Sequence, residues 1–117
     1  MGNKKRAIVA DDQIRLSQNA ITNIDEIAGY IAFIKHQPIN AIKIVEAIYK
    51  TIDCIALNPL AFKECSHIKT KNKIYRQAVC SSWHIIYKVL PTYITILGVI
   101  HTSKNPTEIK ILLKGIK

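Results

Sequence analysis

Apolar residues recur at two different periods along this chain, and the change of period divides it. From Asn19 to about His36, Ala20, Ile24, Ile27, Ile31 and Ile34 follow one another at intervals of three and four. That spacing lays a single apolar stripe along a helix. Ser17 suits its N-cap, and Asp25 and Glu26 fall in its N-terminal half, where the helix dipole favours negative charge. Gln37-Pro38 breaks the run, because proline lacks an N–H and restricts the residue before it, yet Pro38 fits the first turn of a second helix. Ala41, Ile44 or Val45, Ile48, Ile52 and Ile55 carry the helical spacing on to about Leu57, with Cys54 at a core spacing beside them, and Asn58-Pro59 ends it. The two segments predict an antiparallel helical hairpin.

On either side of the hairpin the period drops to two. Gln13-Ile14-Arg15-Leu16 alternates and predicts a first strand. Residues 60 to 72 show no period and read as a loop. Ile74 to Cys80, Trp83 to Leu90 and Tyr93 to His101 then predict three strands, with turns at Ser81-Ser82 and Pro91-Thr92. Turns that short imply an antiparallel meander. Residues 1 to 12 read as an extension, Thr102 to Pro106 as a loop, and Thr107 to Lys114 as a short basic helix or tail. The expected fold is α+β in the order β-α-α-β-β-β, one domain over 13–117 with the hairpin packed on one face of a curved antiparallel sheet.

Charge adds a direction to this frame. The 117 residues carry a formal net charge of +9, and no acidic residue occurs between Glu64 and Glu108. That stretch holds Lys69, Lys71, Lys73, Arg76, Lys88 and Lys104, with His67, His84 and His101. A one-signed meander attracts polyanions or an acidic partner. At 49% hydrophobic residues the chain is no disordered basic tail. Cys54, Cys65 and Cys80 contain no CxxC pair, so they read as reduced thiols rather than metal ligands. No metal or cofactor is called for. The basic start is followed by too short an apolar run for a signal peptide, and no stretch is long enough to span a membrane, so a cytoplasmic protein is expected.

Taken in order, Leu16-Ser17 with Ala20, Ile24, Ile27 and Tyr30-Ile31, then Asn58-Pro59, Tyr75-Arg76, Trp83-His84-Ile85-Ile86-Tyr87 and Ile96 to His101 with Lys104-Asn105-Pro106 form a pattern. Over roughly residues 13 to 108 it resembles the RelE/ParE toxins of bacterial type II toxin–antitoxin systems. The resemblance implies growth inhibition, neutralised by a cognate antitoxin, through one of two mechanisms. RelE-like members cleave mRNA on the ribosome, and ParE-like members poison DNA gyrase. RNA cleavage needs cations to stabilise the phosphate transition state and groups to move protons. By position, Arg76 matches a basic residue at the start of the second strand, while Ala78 stands where another Lys or acid is common. His84 and Lys104 fall where arginines are usual, and Ile109 and Lys110 replace an expected tyrosine.

The candidate catalytic set is therefore Arg76, His84, His101 and Lys104, and the candidate nucleic-acid contacts are Lys69, Lys71, Lys73, Arg76, Lys88 and Lys110. Each has a quieter reading. Arg76 can anchor its strand to a loop carbonyl, the histidines can sit satisfied on the sheet, and the lysine-rich loop can simply be solvated. Trp83, Tyr75, Tyr87 and Tyr93 read as core or cross-strand pairs, with base stacking by Trp83 or Tyr75 as the alternative. The incomplete set leaves mRNA cleavage and gyrase poisoning both open, beside a non-toxic module of the same fold that binds RNA or protein. The expected partner is an antitoxin with an acidic toxin-binding segment, and no small-molecule ligand is expected.

Overall fold

The computed structural model describes residues 13–66 and 68–103. The residues expected as an extension and a C-terminal helix or tail, with Lys104 and Lys110, lie outside them, as does His67. The element order is β1 (Ile14–Leu16), α1 (Gln18–Gly29) continued by a π-helical turn (Tyr30–Ile34), α2 (Pro38–Leu57), β2 (Tyr75–Cys80), β3 (Trp83–Val89) and β4 (Ile94–His101). This is the expected β-α-α-β-β-β, α+β arrangement. Among the described residues no helix is long and apolar enough to cross a membrane.

The sheet runs β1-β4-β3-β2. Strands β2, β3 and β4 form the antiparallel meander that their short turns require. Ser81 turns the first corner with φ 57°. The sheet as a whole is mixed rather than antiparallel, because β1 lies parallel to β4 in the register Ile14–Ile94 to Leu16–Ile96. No tight turn ties β1 to a neighbour, so its direction is decided by where the hairpin and the meander bring it.

On one face of the sheet, Ala78, Cys80, Ile85, Tyr87, Ile94, Ile96 and Val99 pack against Ala20, Ile24, Ile27, Ile48, Ile52 and Ile55 of the helices. The helical stripes are largely those the spacing predicts. Ile34 departs from its stripe and is 65% exposed. The cause is local: Lys35 N–H bonds to the Tyr30 carbonyl, an i→i+5 closure that adds a residue to the turn and rotates Ile34 out of phase. Cys54 is likewise exposed, because the buried side of α2 passes through Ile52 and Ile55 on either side of it.

The start of α1 is fastened to β4. Ser17 Oγ accepts from Ala20 N–H at 3.0 Å, capping the helix, and donates to the Leu97 carbonyl at 3.0 Å. Asn19 Nδ2 donates to the same carbonyl at 3.4 Å, and Asn23 Oδ1 accepts from Val99 N–H at 3.0 Å. The β3–β4 register slips between Ile86 and Tyr87, leaving Leu97 as an extra residue, and β1 ends at Leu16. Among the described residues, the backbone groups of β4 beyond that point have no strand on the β1 side, and α1 supplies partners for them.

On the opposite face Cys65, Ile86 and Leu97 form a second small core, flanked by Tyr75 and Ile100. The segment expected as plain loop supplies it. A 3₁₀ turn at Pro59–Ala61 is followed by a single antiparallel bridge, Glu64 to Arg76, which seats the buried Cys65 beneath the sheet.

Candidate functional site

The described members of the candidate catalytic set occupy three separate places. Arg76 alternates with Ala78 and Cys80 and so lies on the helix side of β2. Its Nη1 donates to the Phe62 carbonyl at 2.8 Å and the Leu60 carbonyl at 3.3 Å, and its Nε to the Lys73 carbonyl at 3.2 Å. Beside it in register stands Tyr87, fully buried, whose hydroxyl donates to the Pro59 carbonyl at 2.6 Å. Burial pushes the Tyr87 phenol from 10.0 up to about 12, and the Arg76 guanidinium pulls it partway back. The Phe62 ring meets Tyr87 edge-to-face at 6.4 Å. Together Arg76, Tyr87 and Phe62 clamp the exit of α2, the anchoring role that was the quieter reading of Arg76.

His84 lies on the other face, between Val79 and Ile100 in register. His101 stands at the far end of β4, on the helix side, with its ring edge-to-face on Trp83 at 5.0 Å. Its Nδ1 accepts from Ser103 N–H at 3.1 Å and meets Ser103 Oγ at 2.8 Å. A ring nitrogen that accepts from a backbone N–H carries no proton, so the neutral tautomer is Nε2–H. His101 borders an open groove with Asn23, Glu26, Ile27 and Tyr30. Its register partner Trp83 is four residues along β3 from Tyr87, the partner of Arg76, or about 13 Å. Arg76, His84 and His101 therefore do not face a common reacting atom.

The candidate nucleic-acid contacts fall into two groups. Lys69, Lys71 and Lys73 project from a loop held from within. Thr70 N–H bonds to Glu64 Oε2 at 3.2 Å, Thr70 Oγ1 accepts from Ile74 N–H at 3.1 Å, and Lys73 adopts φ 54°. Lys88 sits on the outer sheet face, its Nζ 5.5 Å from the Tyr75 ring centroid. Among the described residues no three His, Cys, Asp or Glu side chains are placed to hold a metal ion.

The model for the ParE toxin of type II toxin–antitoxin systems matches residues 14–106. The chain belongs to the ParE toxin family. Its fold is similar to that of a chromosomal ParDE toxin–antitoxin system from P. aeruginosa, with a TM-score of 0.61 at 16% identity, covering 77% of this chain and 95% of that one. It is also similar to the RelBE2 toxin–antitoxin complex from Mycobacterium tuberculosis, with a TM-score of 0.50 at 15% identity, covering 77% and 96%. No curated protein matches by sequence. At these identities the neighbours speak for the fold.

Two features of this ParE-family chain escaped the sequence reading. Arg15 of β1 places its guanidinium 3.9 Å from the Tyr93 ring centroid. Its signal was the polar position within Ile14-Arg15-Leu16, which marks the outer face. The second is the tip of the hairpin, where Phe33, Ile34, Ile39 and Ile42 are all more than half exposed. Beside them a groove of almost wholly apolar walls runs over Ala28, Gly29, Ala32, Ala41 and Val45. Small residues on both helices open that groove, and a Cβ added at Gly29 would meet nothing within 4 Å. The signal was apolar residues off the stripe, Phe33, Ile39 and Ile42, which a search for one stripe passes over.

Proposed function

We propose that this ParE-family toxin arrests bacterial growth in the cytoplasm by acting on DNA gyrase, without cutting RNA. The observation that carries the reading is the scatter of Arg76, His84 and His101 over two faces and two ends of the sheet. Acid–base cleavage requires groups within hydrogen-bond reach of one phosphate, whereas inhibition by binding does not. Arg76, the basic residue best matched to a nuclease position, already donates to three backbone carbonyls.

Neutralisation falls to an antitoxin that covers the hairpin tip. An exposed apolar patch of this extent marks a protein contact. The exposed Lys35 and Lys43 follow Ile34 and Ile42 directly in sequence, which favours an acidic amphipathic segment as the occupant, although Glu46 also lines the groove.

Induced expression tests both statements. The expected outcome is growth arrest with DNA breaks and an SOS response while mRNA stays intact. Transcripts cut within translated codons, or no arrest at all, refute the mechanism. Phe33→Asp with Ile42→Asp should keep the arrest but escape rescue by an antitoxin that neutralises the parent toxin. Full rescue of that variant refutes the docking assignment.

A further inference from the structure

The outer face of the sheet carries a row of side chains that crosses all four strands. Arg15 of β1 pairs with Thr95 of β4, Thr95 with Lys88 of β3, and Lys88 with Tyr75 of β2. Each of these alternates with a core residue on its own strand, so all four project from the side away from the helices. Both cations rest on tyrosines, Arg15 on Tyr93 at 3.9 Å and Lys88 on Tyr75 at 5.5 Å. Neither has a carboxylate or a hydrogen-bond acceptor among the described residues. Their backbones are two strand spacings apart, about 10 Å.

This arrangement selects its ligand in three respects. The Arg15 guanidinium, 3.9 Å from the Tyr93 ring centroid and without an acceptor among the described residues, has its N–H donors available for a bidentate phosphate contact, and Lys88 offers a compact point charge. The rings beside the row already have the row's own cations as neighbours, Arg15 at Tyr93 and Lys88 at Tyr75. They are therefore poor stacking platforms for unpaired bases, which single-strand binding depends on. Finally, the row runs perpendicular to the strands, and the main-chain groups of β3 and β4 are engaged in the ladder there. An extended peptide recognised by strand addition needs an open edge, and this face offers only side chains. A rod of regularly spaced anions meets these conditions. The grooves of B-DNA are about 6 Å and 12 Å wide, so two long side chains set about 10 Å apart reach phosphates on both sides of one groove.

We propose that the Arg15–Thr95–Lys88 row binds the phosphate backbone of double-stranded DNA, one phosphate at each cation, without reading base sequence. The site is separate from the hairpin tip and does not depend on gyrase being the target.

The test is the salt dependence of binding between the purified full-length chain and a labelled 20-base-pair duplex, followed by fluorescence anisotropy. Each lost phosphate contact lowers the slope of log K against log salt by about 0.9, so Arg15→Gln with Lys88→Gln should lower it by about 1.8. Arg15→Lys keeps the charge and should keep the slope, and Lys50→Gln on α2 should leave it unchanged. Circular dichroism and thermal unfolding of each variant establish that it is folded. Two duplexes of unrelated sequence should bind alike. An unchanged slope in the folded double variant overturns the proposal. So does tighter, row-dependent binding of single-stranded RNA or of a poly-glutamate peptide than of the duplex. A failed SOS readout in cells leaves these slopes as they are, so the two proposals fail independently.

Discussion

Arg76 and Arg15 are the same side chain put to opposite uses on the two faces of one sheet. On the helix side, Arg76 is half-buried and tied to the carbonyls of Leu60, Phe62 and Lys73. On the outer side, Arg15 is exposed, lies 3.9 Å from the Tyr93 ring centroid and has no hydrogen-bond acceptor among the described residues. A cation enclosed by carbonyls stabilises the fold and is unavailable to a ligand. A cation beside a ring, with no acceptor in reach, keeps its donors available. Net charge alone, +9 in this chain, does not separate the two. What separates them is which acceptors the fold brings within reach.

The sharpest way to break this contrast is Arg76→Ala. Three carbonyls lose a charged donor, and we expect about 3 kcal/mol of destabilisation, seen as a fall in Tm of order 10 °C or more. Loss of toxicity with an unchanged Tm would instead restore Arg76 as a reacting group. Tyr87→Phe probes the same corner through pH. The folded-state pKa is raised from 10.0 to about 12, so the unfolded chain releases this proton first. The stability tied to it is complete below pH 10 and is lost as pH rises to about 12, at roughly 1.4 kcal/mol per unit. Urea titrations should show a steeper alkaline loss in the parent than in Tyr87→Phe, and parallel curves would sink the assignment.

Asn23→Ala, which orphans the Val99 N–H, should cost about 1 kcal/mol in the same titration. The smallest effect belongs to the outer face. Arg15→Gln with Lys88→Gln removes two cation–π contacts at the sheet surface and should change stability by about 1 kcal/mol or less. A larger loss would make the row a structural feature like the Arg76 corner and end the comparison.

Much of the frame was readable from residue order. The hairpin, its break at Pro38, its end at Asn58-Pro59 and the turn at Ser81-Ser82 all follow from local backbone preference and from spacing. So do the buried Ala20, Ile24, Ile27, Ile48, Ile52 and Ile55. Ile34 and Cys54 were misplaced because a stripe extrapolated at constant phase cannot register a π turn or a shift of one residue. The candidate site was less legible. Arg76, His84 and His101 look alike in a basic, acid-free stretch, and their division between faces and ends depends on a register that includes the bulge at Leu97. Arg15 was overlooked because its significance comes from Tyr93 and Lys88, both more than 70 residues away.

By itself the sequence determined the α+β order of elements, the helical stripes, the antiparallel meander and the concentration of positive charge in its second half. These are properties of neighbours along the chain. Only the tertiary structure decided that β1 lies parallel to β4 and that Arg76 closes the exit of α2. The same holds for the row from Arg15 through Lys88 across four strands, and for the Phe33 side chain left bare at the hairpin tip. The physical reason is common to all of these. Whether a charged or apolar side chain is enclosed or presented depends on the atoms that surround it, and here those come from segments far apart in sequence.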